Sequence, residues 1–125
     1  MRPDDTAERL LTALEHRDDV ALAGLLRPDV RLLVDAGDET GGQWRGRVRV
    51  GYILQARLAR QPDASLETAH VNGGPGLALR RDDGMVIGVL AIGVDTARSD
   101  GEVGELWLST AAAKLAHWNR ARPAR

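Results

Sequence analysis

The chain has 125 residues, 43% hydrophobic and 28% charged, with a formal net charge of -1: one ordinary domain, able to form its own core, without a chain-wide charge footprint for nucleic acid or an anionic membrane. It contains no cysteine, which excludes disulfides, thiol catalysis and thiolate metal sites. The apolar run from Met85 to Val94 is too short to span a bilayer and the polar N-terminus lacks a signal-peptide pattern, so a cytoplasmic protein is expected.

Asp5 and Glu8 have capping-box spacing, and Ala7, Leu10, Leu11 and Leu14 follow at helical period. Asp19 is placed to cap a second short helix carrying Leu22, Leu25 and Leu26, which Pro28 ends. Val30, Leu32 and Val34 mark a first strand closing on Asp35, and Asp35 to Gly42 reads as loop. A third helix is expected over about residues 47–60, with Val48, Tyr52, Ile53, Ala56 and Ala59 on one face.

The period then changes to that of strands. Residues 65–72 form one, and Asn72-Gly73-Gly74-Pro75-Gly76 is a turn whose glycines can take positive φ. Leu77 to Arg81 returns, Asp82-Asp83-Gly84 turns again, and Met85 to Asp95 is a near-continuously apolar strand. Val103 to Ser109 is the last strand, followed by a helix over residues 111–120. Helices followed by a meander predict an α+β fold, not a parallel βαβ one. A single domain over residues 1–125 is expected, with its core at about 5–118.

Several short stretches, in order, carry a resemblance. They are Pro28-Asp29-Val30, Asp35-Ala36-Gly37-Asp38, Val71-Asn72-Gly73-Gly74-Pro75-Gly76, Gly88-Val89-Leu90-Ala91-Ile92 and Lys114-Leu115. Together they resemble the SnoaL-like C-terminal extension of extracytoplasmic-function sigma factors, within the nuclear-transport-factor-2-like group that includes ketosteroid isomerase. The resemblance implies a cone-like curved antiparallel sheet with N-terminal helices enclosing a pocket, plus a C-terminal helix. It also implies a homodimer through the outer sheet face. Its loop after Asp35 and its final motif are degenerate relative to that group, which uses those regions to couple to the transcription core, so such coupling is not expected of it.

The resemblance to ketosteroid isomerase places Asp35 where a general-base carboxylate sits at the pocket mouth. The ordinary reading is a solvated turn aspartate. His70 and Asn72 lie two apart on one strand and share a face with Thr68. His70 is thus a candidate acid or orienting group and Asn72 a ligand anchor, unless that face is the convex one. Trp44 and Tyr52 are candidate flat walls for a hydrophobic ligand, whereas Trp107 and Trp118 read better as packing. By the same resemblance Leu106 and Leu108 line the pocket, with Leu90 on the neighbouring apolar strand, and Glu105 and Trp107 face outward. Asp95 and Glu105 do not form a convincing dyad with Asp35. No metal-ligand spacing appears and no cofactor is expected.

Three functions follow as expectations. The first is a small-molecule-binding or regulatory domain with an apolar pocket for a small hydrophobic molecule. The second is a small enzyme of the cyclase, isomerase, dehydratase or epoxide-hydrolase type, with Asp35 as base and His70 as acid or orienter. The third is a protein-interaction module working through the outer sheet. The first two part company on whether Asp35 and His70 converge.

Overall fold

The computed structural model describes residues 3–94 and 102–120, with side chains for 5–94 and 102–119. Helix α1 (Pro3–Glu15) starts on its proline, whose fixed φ and missing N–H suit the first helical position. Asp5 therefore lies inside the helix, not at its cap. Helix α2 (Asp19–Leu25) is capped one residue earlier than expected, by Asp18, whose Oδ1 accepts from the Ala21 N–H at 3.0 Å. Asp19 is used differently: its Oδ1 accepts from Gln55 Nε2 at 2.6 Å, tying α2 to the next helix.

Leu26 is already extended, at φ -97 and ψ 138, so β1 (Leu26–Asp35) leaves α2 without a loop. Its ladder is irregular between Leu26 and Arg31, the stretch that contains Pro28. A short strand the sequence reading did not contain, β2 (Gly42–Arg45), pairs antiparallel with β1 and sets Trp44 opposite Leu32. Helix α3 (Arg47–Ala59) is anchored at its start by Arg47, which donates to the Leu26 carbonyl through Nε at 2.9 Å and Nη2 at 2.8 Å. Strands β3 (Ala64–Val71), β4 (Gly74–Arg81), β5 (Val86–Val94) and β6 (Val103–Ser109) follow, then helix α4 (Ala112–Arg120). Asp95 lies outside the described residues.

The β3–β4 turn is tighter than expected. Val71 pairs directly with Gly74, leaving Asn72 (φ 54) and Gly73 (φ 79) as the whole connection. Two consecutive positive φ values are what a two-residue hairpin matched to strand twist requires, and Asn-Gly supplies them at least cost. Gly76 then belongs to β4, where a Cβ would lie 2.5 Å from both the Leu90 carbonyl and a Val71 methyl.

The strands form one open curved sheet in the order β2-β1-β6-β5-β4-β3. All neighbours run antiparallel except β1 and β6, which run parallel. The expected curved, mainly antiparallel sheet thus contains one parallel pair: β1 and β6 meet because the chain carries α3 and the meander back to them. One face carries Val30, Leu32, Val34, Leu77, Leu90, Ile92, Leu106 and Leu108, packed against Leu10, Leu14, Leu22, Val50 and Leu54 of the first three helices. The other face carries Val71, Ala78, Val86 and Val89 beneath Leu115 and Trp118 of α4. This α+β architecture, with helices α1–α3 on one side and α4 on the other, assigns each strand-borne candidate residue to one face or the other.

Candidate functional site

Alternation along β1 sends Leu32 and Val34 to the helix-covered face and Asp35 to the opposite one. Asp35 pairs with Ser109, and Ser109 with Val89, a residue of the α4-side cluster. Along β3 the alternation puts His70 on the other face from Asp35. His70 pairs with Pro75 and Thr68 with Leu77, which puts both on the helix-covered face, next to Ala7 and Glu8 of α1. Asp35 and His70 thus lie on opposite faces of the sheet and cannot serve one reacting atom. Asn72 parts from His70 as well: it leaves the strand in the turn and borders the α4-side groove together with Asp35.

The expected deep apolar pocket is largely filled with side chains. Leu106 is 0% exposed and Leu90 is fully packed in the main cluster. Of the three leucines, Leu108 lines an opening. Tyr52 is not a wall but a surface residue, 72% exposed on α3, because it shares the outward side of that helix with Val48. Trp44 is half-buried against the main core and carries the Arg57 guanidinium 5.9 Å from its ring centre.

One opening on the helix-covered side is a cleft of about 340 Å³ at the mouth of the cone; another, of about 310 Å³, lies between α1, the end of α3 and the start of β3, bordered by Glu15, Arg17 and Gln55. The cone-mouth cleft takes its apolar surface from Leu58, Leu79, Ile87 and Leu108, and its polar rim from Asp38, Thr40, Arg57, Arg60, Gln61 and Thr110. Two details organise the rim. Asp38 Oδ1 accepts from the Thr40 N–H at 2.9 Å and from the Thr40 hydroxyl at 2.6 Å. Arg57 donates to the Thr40 carbonyl, which ties helix α3 to the β1–β2 loop. The bonds from Thr40, side chain first and then backbone, hold the Asp38 carboxyl below its ordinary pKa, with Arg57 adding a smaller effect in the same direction.

A further concavity of about 380 Å³ lies on the opposite face, between the sheet and α4. Val89, Ala91 and Ser109 belong to its floor, Trp107 and Trp118 to its sides, and Asp35, Asn72, Lys114 and His117 to its polar edge. Sequence reasoning did not assemble this group. Nor did it mark Asp38, Arg57 and Arg60 at the cone mouth. The strand parity of Asp35 with Leu33 was the available signal for the first, and the pairing of a short Asp-x-Thr turn with a helical arginine for the second. Among the described residues no three His, Asp or Glu side chains gather as a metal site.

The fold has many solved counterparts. The chain superposes on the extracytoplasmic-function sigma factor SigJ of Mycobacterium tuberculosis with a TM-score of 0.67 and 22% identity, over 90% of this chain and 43% of that one. It spans less than half of the sigma factor. A SnoaL-like family protein of Agrobacterium tumefaciens matches with a TM-score of 0.59 and 14% identity, over 84% of this chain and 93% of that one. A ketosteroid-isomerase-like protein of Kribbella flavida matches with a TM-score of 0.56 and 21% identity, over 86% and 76%. At these identities the likeness is one of fold. No family model and no curated protein matches the sequence.

Proposed function

From a SnoaL-like, nuclear-transport-factor-2-like fold as premise, we propose that the chain is a small-molecule-binding or regulatory domain, with its site at the mouth of the cone. The observation that carries this is the pairing there of an apolar surface (Leu58, Leu79, Ile87, Leu108) with two guanidiniums, Arg57 and Arg60. Such a cleft suits a small hydrophobic molecule bearing an anionic group.

Chemistry is disfavoured on two grounds. Asp38, the one carboxylate lining this cleft, is held as a satisfied anion with its pKa lowered, the reverse of what a general base needs. Asp35 and His70, the acid–base pair expected from sequence, act from opposite faces.

Anilinonaphthalene sulfonate has the required chemistry, a flat apolar body with one fixed negative charge. Its fluorescence should rise saturably with the native protein, and Arg60→Ala should weaken binding about tenfold, the worth of one charge-assisted hydrogen bond. The same dye without its sulfonate should bind as weakly to native protein. If Arg60→Ala and loss of the sulfonate both leave binding unchanged, the anionic-ligand reading fails. Native mass spectrometry of the purified protein would then give the class of any retained ligand directly.

A second reading concerns assembly. Helix α4 covers the β3–β5 side of the outer face but leaves a strip along β1 and β6 with Leu33, Trp107 at 48% exposure and the Arg31–Glu105 ion pair at 2.9 Å. A half-exposed tryptophan beside an ion pair suits a self-complementary contact, and a homodimer through this strip is proposed.

A further inference from the structure

The groove under α4 is another place where chemistry-bearing side chains gather, and it lies on the opposite face from the proposed site. Three observations on it point the same way. First, this chain has three tryptophans, one tyrosine and no phenylalanine, yet two of the tryptophans, Trp107 and Trp118, border one groove. Trp107, on the sheet beside Ala91, and Trp118, on α4 with its ring 5.6 Å from that of His117, give the groove two indole surfaces for a flat ring.

Second, opposite charges stand side by side at the groove's edge. Asp35 Oδ1 accepts from the Gly37 N–H at 3.2 Å, which fixes the carboxylate, while Oδ2 faces Lys114 Nζ at 4.0 Å. That separation is too long for a tight hydrogen bond, and both side chains are partly exposed, so the pair gives up little when each charge takes another partner. Third, Ser109, the β6 residue beside Asp35 in the ladder, is only 9% exposed, and its hydroxyl has no hydrogen-bond partner among the described residues. A buried hydroxyl without a partner is costly unless something meets it.

We propose that this groove binds an aromatic zwitterion of the α-amino-acid type: its ring between Trp107 and Trp118, its ammonium on Asp35 and its carboxylate on Lys114. The match is chemical at each end. The anion and cation of such a ligand branch from one carbon, as the Asp35 and Lys114 charges share one edge, and its side chain extends over an apolar floor. Asn72, on its positive-φ turn, and His117 complete the polar rim. The proposal goes beyond the cone-mouth reading and does not depend on it; because Trp107 also lies in the strip proposed for the dimer, L-phenylalanine binding and dimerisation are expected to compete.

The test is a nuclear magnetic resonance titration of the uniformly labelled protein with L-phenylalanine, at millimolar concentrations that register weak binding. Binding in the groove shifts the indole N–H resonances of Trp118 and Trp107 and the amides of Val89 and Ala91, saturably, while Trp44 stays still. Phenethylamine lacks the carboxylate, phenylpropionate lacks the ammonium, and L-leucine lacks the ring; each should bind about tenfold or more weakly. Asp35→Asn keeps the hydrogen bond from Gly37 and removes the charge, and Lys114→Gln changes an exposed side chain. Both should weaken L-phenylalanine by a similar factor in a protein whose spectrum is otherwise unchanged. A silent groove, equal binding of phenylpropionate, or indifference to both substitutions overturns the proposal. Shifts at Trp44 and Arg60 with a silent groove overturn it too, and assign the ligand to the cone mouth instead. The dye experiment reports on that mouth separately, so either site can fail alone.

Discussion

Asp38 and Thr40 form a local device: one carboxylate oxygen takes both the backbone and the hydroxyl proton of the residue two positions on. A carboxylate with a lowered pKa adds stability above its unfolded range, and that contribution disappears as pH falls through the lowered value. Thr40→Val deletes the larger of the two bonds and keeps the backbone one. The Asp38 carboxyl carbon, followed by nuclear magnetic resonance against pH, should then titrate at higher pH than in the native protein. An unchanged midpoint would assign the depression to the backbone bond and Arg57. The same scale shows what a sequence can and cannot give about a site. Asp35 was located correctly at the end of its strand, but its role was borrowed from a fold analogy, and parity alone already opposed it: with Val30, Leu32 and Val34 inward, residue 35 points the other way. His70 alternates with equal regularity, yet nothing local says which side of β3 faces helix α1, since Leu66 is the one large apolar residue on that side of the strand.

At the scale of elements, the long helices and the meander were legible because their periods are strong over several turns or alternations. Strand β2 was not, because Gly42–Arg45 offers four residues with one apolar side chain, too few to show a period. It exists because β1 presents an open edge and the Asp38 loop turns the chain back onto it. Helix α4 was read correctly to within a residue, but not its docking. Asn119 docks it by imitating a strand: its Oδ1 accepts from the Val86 N–H at 2.8 Å and its Nδ2 donates to the Val86 carbonyl at 3.1 Å. Asn119→Ala strips both partners from Val86 and should lower stability by about 1–3 kcal/mol in urea unfolding. The Val86 amide should lose hydrogen-exchange protection while Leu32 and Leu106 keep theirs. Uniform loss across the sheet would mean instead that α4 is integral to a single cooperative unit.

For the whole molecule, two covered faces leave one bare strip, and the proposed dimer is tested there. Trp107→Glu places a charge in its centre and should shift the sedimentation coefficient toward that of a monomer. A dimer indifferent to it would place the interface elsewhere, with the exposed Val20, Val48 and Tyr52 on α2 and α3 as the next surface to charge. The order of strands was the part of the architecture least legible from sequence, since pairing between β1 and β6 leaves no local trace in either strand. That pairing has a consequence for how the chain is made. The β3–β4 and β4–β5 hairpins can zip as soon as they emerge from a ribosome. Strand β1, synthesised before them, has its place beside β6 and must wait for residues 103–109 before its inner leucines are fully enclosed. During that interval it has only β2 to pair with. Translation of this protein therefore passes through a stage at which Leu32 and Val34 have the helices and β2 around them but not β6, the stage at which a chaperone would have most to bind.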